Sequence, residues 1–325
     1  MRAKILSTGK CLPENIIKNS DLKQFPARVL KVIEQKVGVK ERRFAASSQC
    51  TSDLAFNAAK DCLDKIGFSE AELDAIILAT SSPDRFQPAT AARVQQLLGS
   101  RKAFAFDVNS VCSGAIYAVH LADCLIRTAS CRNVLVIGSE IYSRFLNPND
   151  FSTFPYFGDG AGALLLQATD DEGQGVQKTI LKTDGTGADL IQVPAGGTMM
   201  PFDKMENKFD RYFKMVGKEV FKFAVNRGSE VINELMERAQ IAGENIRYFV
   251  THQANINIIT EISQRIGQPL DKFFVNLDKY GNTAAASVLI GLDELVTYNE
   301  IHSGEYIVIV AFGGGLSWGA TLIRF

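Results

Sequence analysis

The sequence predicts an α/β fold. Short apolar runs rich in β-branched residues alternate along the 325 residues with segments of helical spacing, the order expected of such a protein. The two halves of the chain also end alike. "NVLVIGSE…FGDGAGALLLQ" and "YIVIVAFGGGLSWGATLIRF" are each a buried strand, a glycine-rich crossing and a second buried strand, which points to duplication. On this reading the halves are residues 1–170 and 171–325, with the polar stretch "TDDEGQGVQKT" at the boundary.

Taken in order, "MRAKILSTGKCLPENII" reads as a first strand and turn, without the sustained apolar run of a signal peptide. "LDAIILATS" (73–81) is a buried strand, and "ATAARVQQLLGS" a helix stopped by Gly99. "KAFAFDVNS" is a strand leading into Cys112, and "AIYAVHLADCLIRTA" the helix after it. "NVLVIGSEI" is a further strand, and "GDGAGALLLQA" a tight turn and then a strand. Beyond the boundary come a long amphipathic helix ("GKEVFKFAVNRGSEVINELMERAQ"), a strand ("IRYFVTHQA") and a helix. The segment "FFVNLDKYGNTAAASVLIGLDELV" and a closing pair of strands finish the chain.

Composition narrows the function. A hydrophobic content of 46% and a charged content of 22% belong to an ordinary globular protein. A net charge of −1 gives no reason to expect nucleic acid or an anionic membrane as partner. The longest apolar runs are too short to span a bilayer. Six cysteines without a CxxC pair suit free thiols in a reducing cytosol. The three histidines are scattered, none at ligand spacing from a cysteine, so no metal is expected.

Four places carry candidate chemistry. In "DVNSVCSGAIYAV", Cys112 stands where a strand gives way to a helix. It is either a small buried hydrophobe or a nucleophile whose thiolate the helix N-terminus would favour. His252, in "VTHQANINII", ends an apolar strand beside Gln253 and Asn255; it is either a satisfied core histidine or part of a site at a strand end. Asn282, in "DKYGNTAAASV", follows a glycine and opens a helix of small residues, as an N-cap or as a functional amide. The three glycines of "AFGGGLSWG" make a demanding turn or a place where backbone N–H groups approach a substrate.

Together these motifs resemble the β-ketoacyl-ACP synthase III family of thiolase-fold condensing enzymes. The resemblance runs the length of the chain, through "ILSTGKCLPENIIKNSDL", "GVKERRFA", "FGDGAGA", "HQANINII", "YGNTAAASV" and "FGGGLSWGATLIRF". It implies a five-layer αβαβα sandwich of two similar halves, the first carrying the nucleophile and the second the histidine and asparagine. It also implies a cytoplasmic homodimer that needs no metal or redox cofactor, its substrates being phosphopantetheine thioesters. The implied partners are an acyl-CoA or acyl-ACP donor, malonyl-ACP and the acyl carrier protein. By this resemblance Cys112 takes the acyl group, the N–H groups of Cys112 and Gly314 form the oxyanion hole, and His252 and Asn282 serve decarboxylation of the malonyl thioester. The acyl and pantetheine pocket falls on Gln87, Tyr142, Phe157, Met215, Gly217, Phe221, Ala254, Asn255 and Phe312. Lys36, Lys222 and Arg265 are the contacts to CoA or carrier protein.

The chain also departs from the family. Val32 and Phe151 stand where many members clamp adenine between tryptophan and arginine, and Lys36 where a phosphate-binding arginine is usual. Asn257 replaces an arginine just past the HQAN motif. Gln87 replaces a phenylalanine that, in acetyl-selective members, reaches the acyl pocket from the partner subunit; this suggests a longer or polar primer, while Tyr142 is placed to fill the same pocket. Two rival functions are an acyltransferase that passes the group to oxygen or nitrogen without decarboxylation, and a non-catalytic partner subunit.

Overall fold

The computed structural model describes residues 1–298 and 300–325. Its first half runs β1 (Arg2–Cys11), β2 (Asn15–Lys18), α1 (Ala27–Lys36), β3 (Glu41–Phe44), α2 (Thr51–Asp64), β4 (Ala75–Ala79), α3 (Thr90–Leu98), β5 (Phe104–Val108), α4 (Gly114–Arg127), β6 (Asn133–Glu140) and β7 (Gly160–Thr169). There follow β8 (Gly175–Thr183), β9 (Ile191–Gln192), β10 (Lys214–Met215), α5 (Gly217–Ala239), β11 (Ile246–Thr251), α6 (Ile256–Arg265), α7 (Leu277–Tyr280), α8 (Ser287–Thr297), β12 (Tyr306–Gly313) and β13 (Ser317–Arg324). Local chemistry sets several bounds. The Asp53 carboxylate accepts from the Cys50 amide at 2.7 Å and closes the first turn of α2. Gly99, at φ 70°, ends α3 as its spacing predicts.

Two sheets result, one of five strands in the order β1-β7-β6-β4-β5 and one of four in the order β11-β12-β13-β8. The apolar faces of α2 and α3 cover the outer side of the first sheet, where Leu54, Ala58 and Val94 meet Ile76, Leu78 and Ile137. On the outer side of the second, residues of α5 and α6 such as Val225, Ile232 and Ile262 meet Phe249, Val308 and Val310. Between the sheets lie α4 and α8, whose Ile116, Val119, Leu289 and Leu292 join Ile77, Val136, Ile307 and Ile309 in the central core. The layers are therefore αβαβα, as expected. Each fully buried aliphatic side chain here contributes about 2 kcal/mol. Every residue of α8 from Ser287 to Leu295 is buried, so the Asp293 and Glu294 it carries inward must find partners.

One reading of the sequence needs correction. The polar boundary "TDDEGQGVQKT" contains the start of β8, which pairs antiparallel with β13 from Gly175 to Thr183. As an edge strand β8 is only partly covered, and its sequence shows too little apolar continuity to be recognised. At the far edge of the other sheet, β5 pairs with β4 alone and leaves Phe104 48% exposed.

What matters for the site is where the elements end. β5 leads through a 3-10 turn, Val111–Ser113, into α4, while α7 leads through Asn282 and a second such turn, Ala284–Ala286, into α8. The ends of β11 and β12 arrive at the same place.

Candidate active site

Cys112 lies in the turn before α4, buried, behind a backbone that is forced. Val111 holds φ at 47°, a left-handed conformation that costs a β-branched residue roughly 1–3 kcal/mol. The turn is braced against the glycine loop after β12. Ser317 donates to the Gly314 carbonyl at 2.8 Å, and its hydroxyl lies 2.8 Å from that of Ser113, next to the cysteine. Gly313 is the residue that approaches closest: a Cβ there would stand 2.8 Å from the Cys112 amide nitrogen, so only glycine fits. The Cα of Gly314, by contrast, faces Ile191 and Val111.

The position at a helix start suggests a thiolate, but the resting thiol is held the other way. Burial, with a smaller contribution from the Glu140 carboxylate, pushes Cys112 well above the usual thiol range. Glu140, at the end of β6, is itself buried and raised to about 7, although Ser81, Ser82 and Thr80 all donate to it.

His252 follows β11, its amide donating to Val310 at 2.7 Å. Its Nδ1 is 2.8 Å from Ser287 Oγ, and its ring meets Phe312 edge-on at 5.5 Å. Burial lowers its pKa to about 3, so the imidazole is neutral. Asn282 is held by its backbone, which donates to Tyr156 at 2.8 Å and accepts from Gly158 at 3.0 Å. This explains "FGDGAGA": a Cβ on Gly158 would stand 2.2 Å from the Tyr280 carbonyl oxygen. The Asn282 Oδ1 accepts from the Ala284 amide at 2.8 Å. It caps the turn, as the sequence allows, and leaves the Nδ2 donors for another partner.

The three residues line one apolar cavity of about 50 Å³ with Phe157, Met215, Ala254 and Phe312, all four anticipated, and with Ile191, Phe213, Val220, Phe223, Ala224, Ile258 and Gly313. A far larger cleft of about 1160 Å³, open and polar, lies beside Arg247 and Tyr306 and holds none of them. Tyr142 is buried with Cys112, stacked on Phe157 at 5.1 Å, its hydroxyl 3.0 Å from Ser81 Oγ.

Five anticipated pocket residues fall outside the cavity, Tyr142 among them although it packs beside Cys112. Gly217 is exposed at the start of α5. Phe221 turns to the outer core around Val225, because on a helix Val220, Phe223 and Ala224 share the face toward the thiol. Asn255 caps α6, its Oδ1 accepting from Asn257 N at 2.9 Å. Gln87 is exposed in the loop between β4 and α3 and does not line this cavity. The α5 face was detectable from its spacing; Ile191 and Phe213 come from irregular chain with no periodicity to read.

Lys222 and Arg265 share a surface: Arg265 donates to Asn226, one turn beyond Lys222, at 2.6 Å. Lys36 is exposed at the end of α1, and its carbonyl accepts from the Asn257 side chain. Val32 and Phe151 are 55% and 57% exposed.

A buried cysteine behind a strained turn, facing a neutral imidazole and a carboxamide across an apolar cavity in a five-layer fold, defines a thiol-dependent acyl-transferring enzyme. Comparison with known proteins narrows this. Residues 106–185 match the family described as 3-oxoacyl-[acyl-carrier-protein (ACP)] synthase III, and residues 236–325 match its C-terminal counterpart. The β-ketoacyl-[acyl-carrier-protein] synthase III of Caldanaerobacter subterraneus is 43% identical over 325 residues, covering 99% of this chain and 98% of that protein. That of Clostridium perfringens is 40% identical, with 99% of each covered. The crystal structure of 3-oxoacyl-[acyl-carrier-protein] synthase III from Aquifex aeolicus superposes with a TM-score of 0.91 at 37% identity, over 99% of this chain and 100% of the other. The chain belongs to the β-ketoacyl-ACP synthase III family.

Proposed function

We propose that this enzyme joins a short acyl primer, delivered as an acyl-CoA, to malonyl-ACP with loss of CO₂, the reaction that initiates fatty-acid synthesis. The observation that carries the reading is the single cavity shared by thiol, imidazole and carboxamide.

The chemistry follows from what each group can do. Cys112 sulfur attacks the thioester carbonyl, loses its proton, and expels the CoA thiol, leaving an acyl-enzyme. The amides of Cys112 and Gly314 are proposed as donors to the tetrahedral oxygen. Malonyl-ACP then enters. As its carboxylate leaves as CO₂, the bonding electrons pass to the thioester oxygen, which His252 Nε2–H and Asn282 Nδ2–H stabilise. Neutral donors suit a developing negative charge, and a carboxylate there would oppose it. The enolate carbon attacks the acyl carbonyl, and the Cys112 thiolate departs to give the β-ketoacyl-ACP.

A short primer is favoured by what stands beside the thiol: Tyr142, Phe157 and Phe213 pack against one another at 5.1–5.6 Å. Lys222 and Arg265 offer a basic face to an acidic carrier protein. A homodimer through the β5 edge fits the stacked Phe104 and Phe106 there, Phe104 being 48% exposed. No helix among the described residues is long and apolar enough to cross a membrane.

The test is in two stages. Acetyl-CoA should add acetyl mass to the wild type and none to Cys112→Ala, and malonyl-ACP should discharge that adduct with release of CO₂ and a β-keto product. No adduct with any donor, or discharge only by an alcohol or amine without CO₂, overturns the reading.

A further inference from the structure

The condensation just described needs two donors from different segments, His252 and Asn282, aimed at one oxygen. Their common anchor is a residue outside the cavity. Glu294 is fully buried on α8, its side chain 1% exposed, and one of its oxygens leads toward His252 and the other toward Asn282. Oε2 accepts from Asn276 Nδ2 at 3.0 Å; the Asn276 amide in turn donates to Gln253 Oε1 at 3.1 Å, and Gln253 directly follows His252. Oε1 accepts from the Tyr280 hydroxyl at 2.6 Å, and Tyr280 stands two residues before Asn282. Lys10 of β1 supplies the counter-charge, its Nζ 3.1 Å from the same oxygen. Burial works against the charge, yet the hydrogen bonds from Tyr280 and Asn276 and the Lys10 ammonium outweigh it and hold the carboxyl below its usual range.

The chain of contacts is selective. Gln253 is fixed on its other side by donating to the Thr251 and Phe274 carbonyls at 2.9 and 3.0 Å, so a displacement at Asn276 reaches the His252 backbone. Cys112 depends on a different brace, through Ser113 and Ser317. We infer that Glu294 is a positioning residue that sets the spacing of His252 and Asn282 for the malonyl half-reaction and leaves the acylation of Cys112 untouched. Tolerances for such paired donors are about 0.5 Å, so loosening one arm of the carboxylate is enough to be felt.

This inference rests on the condensation reading, and two rates separate them. Acyl-enzyme formation from acetyl-CoA is followed by intact mass in single turnover, and CO₂ release from malonyl-ACP is measured independently. For Glu294→Gln, acylation is expected within about twofold of wild type, while the kcat for CO₂ release falls about tenfold or more with KM little changed. Tyr280→Phe, which removes only the Asn282 arm, should show the same pattern at about three- to fivefold, and it decides the matter if Glu294→Gln does not fold. Folded variants that release CO₂ at the wild-type rate, or that lose both half-reactions by one factor, overturn the inference. A wild type that releases no CO₂ overturns the condensation reading and the inference with it.

Discussion

His252 Nδ1 and Ser287 Oγ lie 2.8 Å apart, and the same hydroxyl is 2.9 Å from the Ala284 carbonyl oxygen. A serine has one proton for these two acceptors. Given to Ala284, it forces the imidazole to carry its proton on Nδ1 and leaves Nε2 a bare acceptor. Given to Nδ1, it makes Nε2–H the donor that the enolate needs. The condensation requires the second arrangement, so Ser287→Ala, which frees the tautomer, should slow CO₂ release about tenfold, or about 1.4 kcal/mol. Acylation of Cys112 should change little. Single-turnover rates for the two steps check this, and an unchanged rate of CO₂ release would remove Ser287 from the mechanism.

The neutral state of His252 has a cost at low pH. Its pKa falls from 6.5 to about 3 on folding because burial penalises the cation. Between those values the unfolded chain binds a proton that the native chain refuses, so stability is full above about 6.5 and declines as pH drops toward 3. Denaturant melts at pH 7 and pH 4.5, compared with those of His252→Gln, should show a smaller acid loss in the variant. The imidazole should also contribute no titration to the CO₂-release profile between about pH 6 and 8.

Tyr142 is expected to limit the primer more than Gln87. It is buried against Phe157 and Phe213 and tied to Ser81, which also donates to Glu140 at 2.9 Å. Tyr142→Leu should raise the ratio of kcat/KM for hexanoyl-CoA over acetyl-CoA by about tenfold. Gln87→Phe should leave that ratio within about twofold. A primer panel in which only Gln87→Phe shifts the preference would reverse the assignment.

Much of this site was legible because its chemistry sits at element ends. Cys112, His252 and Asn282 are each an unexpected residue where a strand or helix stops, and the structure brings all three to one cavity. Spacing also located α5, but the resemblance set its pocket residues out of phase, naming Phe221 where Val220, Phe223 and Ala224 face inward. Ile191 and Phe213 lie in chain whose regular pieces are two to six residues long, too short for any period to build up. β8 was hidden for a related reason, since an edge strand half open to water keeps polar residues that resemble a linker. Nor could the Glu294 contacts be foreseen, because no helix or strand period links Asn276 and Tyr280 to it across a turn, and Lys10 lies at the other end of the chain.

Val111 and Ala284 share an unusual backbone, φ 47° and 45°, and the turns that hold them pack against each other. One precedes the thiol and the other follows the carboxamide. Conformations this costly persist only while surrounding structure enforces them, and here each turn is part of the other's enforcement. The arrangement works as an interlock. Each turn thus takes part of its support from the opposite half, and it is the docking of the halves, not the aim of the His252 and Asn282 side chains, that holds the backbone of the thiol.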